Sequence, residues 1–187
     1  MDVIQAIHER RAYRSLKPIK ITDELINDFA KSAQLAPSCF NNQPWRFVFV
    51  YESEMLKRLH SALSRVNVWG QSASLIIAVF SRKEYDCRLK NRDYYLFDTG
   101  IATGFLILRA TELGLVAHPI AGFDEEKVKD ILGIPDDYTV ITLVIVGELS
   151  ETISPILSEG QVQKERMRPE RISFEEFVYF NSFKGKT

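Results

Sequence analysis

No glycine run in this chain fits a dinucleotide fingerprint or a phosphate-binding loop, and no His-Glu-x-x-His occurs. A nicotinamide would therefore have to bind transiently, stacked on another group, because no Rossmann crevice is encoded for it. Cysteine is scarce: Cys39 and Cys87 make no disulfide framework, and their spacing fits no zinc pattern. The three histidines, His8, His60 and His118, are scattered, with no carboxylate or thiol partner at local spacing, and read as structural. No apolar run approaches the roughly 20 residues that span a bilayer. The first residues lack a secretory pattern, since Gln5, His8 and Glu9 interrupt Val3, Ile4 and Ile7. A net charge of -1 gives no argument for nucleic acid or an anionic membrane surface. A soluble protein in the reducing cytoplasm is the expectation, with no metal.

What is present suits one domain over residues 1–187, large enough to bury a single core. Asp2 caps a first helix with Val3, Ile4 and Ile7 on one face, and that helix delivers three arginines at its end. Thr22 caps a second helix, Ile21 and Ile26 are placed for a hydrophobic staple, and Pro37 stops it. Residues 46–51 read as a strand, and Ser53 caps a third helix with Leu56, Leu59 and Leu63 inward. Residues 74–80 form a nearly continuous apolar strand, as in one covered on both faces. Residues 82–92 are polar and mixed in charge, which suggests an exposed loop or lid. The longest helix, about 93–113, is apolar around most of its circumference, with Gly100 and Gly104 open to close packing.

Residues 116–120 and 138–146 read as further strands, around a short helix capped by Asp124 and closed by Gly133. Residues 148–168 show no periodicity and read as an extended arm. Ser173 and Glu176 form a capping box before Phe177. The pattern is an α/β (α+β) sandwich: a central mixed sheet flanked by helices.

Two stretches carry candidate chemistry. Residues 36–45 hold a hydroxyl, a thiol and three amides on a loop stiffened by Pro37 and Pro44, suited to the edge of a flat polar heterocycle. An ordinary turn is the competing reading. Cys39 reads equally as a small apolar filler, without nucleophilic chemistry. Arg10, Arg11 and Arg14 at a helix end suit either the macrodipole or a phosphate, which a guanidinium fork matches bidentately.

Together, Arg10, Arg11 and Arg14 with Pro37, Ser38, Asn41, Gln43, Pro44 and Trp45 resemble the paired motifs of the FMN-dependent nitroreductase family. Residues 112–115 and 122–124 are similar to that family's segment beside the flavin, and residues 171–176 resemble its C-terminal basic element. The resemblance is collinear over nearly the whole chain. It implies a homodimer with FMN at the subunit interface, NADH or NADPH as transient reductant, and a small acceptor such as a nitroaromatic or quinone. Arg10 and Arg171 would then hold the phosphate, and Arg14 would lie near flavin N1 and the C2 carbonyl. Pro37, Ser38, Cys39, Asn41 and Gln43 would border the ring from the partner chain, and Pro119, Ile120, Ala121 and Gly122 would run along it. Arg11 and Ala12 belong to the same cofactor-binding stretch. No side chain is implied as acid or base, so the catalytic set is empty.

Some residues depart from the family pattern. Ala12 replaces the usual serine, Phe40 is bulky, and Pro169 stands where lysine is common, with Arg168 nearby as a substitute. Apolar residues spread too widely for one core face place the 94–113 helix at the dimer interface, and the aperiodic arm from Glu148 onward is expected to wrap the neighbouring chain. The same fold supports dehalogenation, oxygen-dependent flavin fragmentation, or flavin storage and sensing without turnover.

Overall fold

A computed structural model describes residues 1–183. Five strands form one sheet: β1 (Leu16–Lys17), β2 (Arg46–Val50), β3 (Leu75–Ser81), β6 (Leu115–Ile120) and β7 (Thr139–Leu149). β4 (Arg88–Leu89) and β5 (Arg92–Asp93) make a separate small hairpin. β7 is central. It pairs with β3 along one edge and with β6 along the other, and β2 lies outside β3. Glu148 pairs with both Leu115 and Lys17, so β1 continues the β3 edge past the end of β3. Every pairing among the described residues is antiparallel, which corrects the mixed sheet expected from the sequence.

Alternation along β3 and β7 builds two cores, because successive side chains point to opposite faces. Ile76, Ala78, Leu143 and Ile145 pack beneath α3 (Ser53–His60), α5 (Glu125–Leu132) and the Trp69 turn. Leu75, Ile77, Val79, Val144 and Val146 pack against Phe29 and Ala33 of α2 (Asp23–Gln34) and Ala102, Leu106 and Ala110 of α4 (Tyr95–Glu112). Both faces of β3 are thus covered, as its unbroken apolar run requires. Thr22 accepts the Leu25 N–H at 3.3 Å, and Gly133 closes α5 in the left-handed region at φ 67°. No helix among the described residues is long and apolar enough to cross a membrane.

α1 and α4 each leave an apolar face open, and several later expectations are corrected. α1 (Val3–Glu9) is capped by Asp2 but buries only Ala6; Val3, Ile4 and Ile7 are exposed, Val3 by 72%. α4 buries one stripe, Tyr95, Asp98, Thr99, Ala102, Thr103, Leu106 and Ala110, and leaves Leu96, Phe97 and Phe105 uncovered. A Cβ placed at Gly100 or Gly104 would meet nothing within 4 Å. α3 begins after Glu52, one residue before the expected Ser53 cap. Residues 148–168 are not a uniform arm: β7 runs on to Leu149, and α6 (Glu159–Arg166) follows a Ser158/Gln161 capping box. The helix after Ser173, α7, is one turn, Phe174–Phe177. Cys39 and Cys87 form a disulfide, against the expectation of two independent cysteines. That pairing removes the argument from cysteine usage for a reducing compartment.

Candidate functional site

The arginine-bearing segment leaves α1 and is fastened to α6, a helix some 150 positions later. Arg11 donates to the Lys164 carbonyl at 2.8 Å and the Glu165 carbonyl at 3.0 Å, satisfying acceptors at the end of α6. Glu165 returns the contact: its buried carboxylate accepts the Arg14 N–H at 2.9 Å and the Ser15 N–H at 3.1 Å. Arg168 donates to the carbonyls of His8 and Arg10. Beneath this clasp His118 lies against the Trp69 ring, centroids 4.7 Å apart, with Nδ1 at 3.0 Å from the Tyr13 carbonyl. A carbonyl only accepts, so Nδ1 carries the proton. Burial holds the His118 pKa down at about 4, with Arg14 and Arg10 opposing its charge and Glu165 favouring it, so the ring is neutral near pH 7.

The charge balance here is one-sided. Arg10, Arg168 and Arg171 are close enough that the last two, after burial itself, lower the pKa of Arg10. Burial also lowers that of Arg14, which lies over the Trp69 ring at 5.9 Å. None of Arg10, Arg14, Arg168 and Arg171 has a carboxylate side chain within ion-pairing distance among the described residues. Clustered guanidiniums without a salt-bridge partner, with Glu165 acting on Arg14 only from beyond that range, are a donor set for a multiply charged anion such as a phosphate.

The second stretch is built differently. Phe40, Asn41 and Gln43 all have left-handed backbone, φ 49°, 57° and 51°, and Phe40 is 82% exposed. Such geometry persists only where neighbours impose it. Here Ser38 Oγ accepts the Gln43 N–H at 2.9 Å, and the Asp98 carboxylate, buried at the start of α4, accepts the Cys39 N–H at 2.6 Å. The disulfide ties Cys39 to residue 87, and Asn42 donates to Asp86 at 3.3 Å. Burial, opposed by the Cys39 N–H and reinforced by neighbouring Asp86, raises the Asp98 pKa. Residues 82–86 are steadied by Arg46 and Arg82, which lie 4.4 and 4.2 Å from the Tyr85 ring centre.

Register places loop 37–43, residues 121–122 and the arginine segment relative to one another. Arg46, just after the loop, pairs with Phe80, and Phe80 pairs with Val140. Ile120, just before residues 121–122, pairs with Leu143 of the same strand β7. Loop 37–43 and residues 121–122 therefore lie at one end of the sheet, on the opposite edge strands β2 and β6, whereas the arginine segment enters β1 beside Leu149 at the other end. Three interstrand spacings put β2 and β6 about 14 Å apart across the sheet. Each described cavity that touches loop 37–43 is free of residues 8–15, and the one that touches residues 8–15 is free of the loop.

The family model for the nitroreductase family matches residues 7–74 and 56–148. The chain belongs to the nitroreductase family. An Archaeoglobus fulgidus protein with the provisional name NADH dehydrogenase/NAD(P)H nitroreductase is 32% identical over 155 residues, covering 78% of this chain and 84% of that one. A Thermus thermophilus protein named NADH dehydrogenase is 24% identical over 183 residues, covering 81% and 88%. Among solved structures, one described as an oxidoreductase containing FMN superposes with a TM-score of 0.84 at 27% identity, covering 100% of this chain and 94% of that one. These relatives make this nitroreductase-family chain an oxidoreductase.

Within this nitroreductase-family chain, Arg10, Arg14 and Arg171 share one cluster, whereas Arg11 is occupied with α6 and the Tyr13 hydroxyl. Ala12 contributes a carbonyl, which accepts from Arg14 at 3.4 Å. Gly122 has a reason internal to the chain. Its carbonyl accepts from the Ser64 N–H and Asn67 Nδ2, and a Cβ there would sit 2.5 Å from Ser64 Oγ. Glu165, His118 and Trp69 were missed as parts of the arginine region. The Ser158-x-x-Gln161 capping box was the one sequence signal for the helix that carries Glu165.

Proposed function

We propose that this chain is a homodimeric FMN oxidoreductase in which NADH or NADPH is the reductant and a flat aromatic acceptor, such as a nitroaromatic or quinone, is the oxidant. The observation that carries the reading is the uncompensated Arg10–Arg168–Arg171 cluster beside Arg14, which suits a terminal phosphate. FMN, when bound, supplies hydride acceptance and release. Arg10 and Arg171 hold its phosphate. Arg14, fixed by Glu165 through its backbone, presents a cation where negative charge develops on the reduced ring. Pro119, Ile120, Ala121 and Gly122 run along the ring, and Pro37, Ser38, Cys39, Asn41 and Gln43 border it from the second chain.

The arginine segment and loop 37–43 leave opposite ends of the sheet, beside Leu149 and Val140 of β7, which supports the two-chain arrangement, since neither closes on the other within one copy. The uncovered α1 residues and the uncovered side of α4 offer an apolar face to a second copy. A cavity of about 350 Å³ beside the loop, lined by Leu89, Tyr94, Phe97 and Ile101, suits a planar apolar acceptor better than a charged one.

Mass spectrometry of the cofactor released from purified protein tests the reading. FMN is expected. FAD, or no flavin after reconstitution with FMN, would refute it.

A further inference from the structure

The segment 82–93 and loop 37–43 meet at a compact group of ligand-type atoms. A sulfur of Cys39, a sulfur of Cys87 and a carboxylate oxygen of Asp86 all lie within 4.8 Å of one another. Asp86 Oδ1 is engaged, accepting the Cys87 N–H at 2.8 Å and Asn42 at 3.3 Å. Asp86 Oδ2 is buried with no N–H or hydroxyl donor, and the neighbouring group is the Asp98 carboxyl, whose pKa Asp86 helps to raise. A second carboxylate, Asp98, is buried next to it and already serves the Cys39 N–H. Two acids and two sulfurs thus converge where no cation pairs with Asp86 or Asp98 among the described residues.

We infer that, once its disulfide is reduced, this chain holds one thiophilic divalent cation of the zinc class on Cys39 Sγ, Cys87 Sγ and Asp86 Oδ2. Tetrahedral zinc at about 2.3 Å from each sulfur sets the sulfurs about 3.8 Å apart, so each moves by only about 1 Å from its bonded position. The Cα atoms, 6.1 Å apart, stay where they are. Water takes the fourth position. An external thiol pair supplies the two electrons: the S–S bond breaks, two protein thiols form, and the external pair leaves as its disulfide. The cation then displaces both thiol protons. Its charge answers the two adjacent acids, Asp86 and Asp98, which the disulfide leaves without a cation. The tie between loop 37–43 and segment 82–93 consequently survives reduction, with a metal replacing the bond. The site is separate from the arginine cluster and does not rest on the flavin reading.

The test is a cobalt titration of the full-length protein, reduced with a phosphine and desalted without oxygen. Reduced protein is expected to show the strong visible bands of tetrahedral cobalt, red of flavin absorption, saturating at one ion per chain. Zinc should abolish those bands, and oxidised protein should not develop them. Cys87→Ser should remove them, Asp86→Asn should weaken cobalt binding by about tenfold or more, and exposed Asp130→Asn should change nothing. Absence of tetrahedral bands in the reduced natural sequence overturns the inference without recourse to any variant. So does a band of equal intensity in Cys87→Ser, and affinity unchanged by Asp86→Asn overturns the ligand set.

Discussion

Residues 8–15 and 37–43, the two halves of the proposed site, are held in place by different means. The first is an extended segment clasped by hydrogen bonds from Glu165 and Arg168 and backed by a neutral histidine. The second is a loop with three left-handed residues, fastened by a covalent bond to segment 82–93 and by a buried acid at the start of α4. The difference matches their proposed tasks. An anion cradle needs guanidiniums aimed without partners, so the fastening falls to their backbone and to neighbouring residues. A loop that presents amides to the edge of a ring needs an unusual backbone, so its anchors are stiff and local.

The largest expected effect breaks the first half. Arg10→Ala or Arg171→Ala should weaken FMN binding by on the order of 2–5 kcal/mol, because each removes one partner of a desolvated charge contact. Lys17→Ala, at an exposed Lys17–Glu148 pair, should leave it nearly unchanged. Fluorescence titration of the flavin separates these. Equal dissociation constants would show that the arginine cluster holds no phosphate.

Reducing the disulfide in the presence of a chelator breaks the second half instead. Cross-links closing a loop of this order, 48 positions, contribute about 2–4 kcal/mol of stability. The urea midpoint should fall accordingly. Hydrogen exchange should rise in 37–43 and 82–93 while 8–15 stays protected; uniform loss of protection would erase the contrast.

His118 sharpens the comparison through pH. Its folded pKa, about 4, lies below the ordinary histidine value of 6.5 because it is buried. Between those values the unfolded chain binds the proton and the folded chain does not, so this residue lowers stability as pH falls from about 6.5 towards 4. The full span corresponds to on the order of 3 kcal/mol. His118→Asn should flatten the pH dependence of the melting temperature in that window; an unaltered slope would contradict the assignment.

A smaller effect belongs to Gly122. Gly122→Ala forces Ser64 or Asn67 aside and should cost about 1–3 kcal/mol, recovered in part by combining it with Ser64→Ala. Failure of the second change to rescue would mean the clash lies elsewhere.

The sequence disclosed those parts whose causes are local. The caps at Asp2, Thr22 and Asp124, the left-handed Gly133 and the four long strands are written in adjacent residues, and they appear close to where they were expected. The two motif stretches were legible by resemblance. What stayed hidden depends on distant partners. α6 buries only Glu165, so it carries no apolar stripe, and its value lies in contacts some 150 positions away. Cys39 and Cys87 are neighbours only because β2 and β3 pair and bring the loop beside segment 82–93. The exposure of Val3, Ile4 and Ile7 was equally invisible, since periodicity shows an apolar face but not what covers it.

The central claim is that the two halves come together only between two chains, and complementation tests it directly. One variant carries Arg10→Ala; the other carries Asn41→Ala with Gln43→Ala. Each alone should bind FMN weakly. Co-folded in equal amounts, a mixed dimer has one site built from the intact arginines of one chain and the intact loop of the other. The account predicts that natural-affinity FMN binding returns at one site per mixed dimer. Affinity that remains at the average of the two separate variants would contradict it.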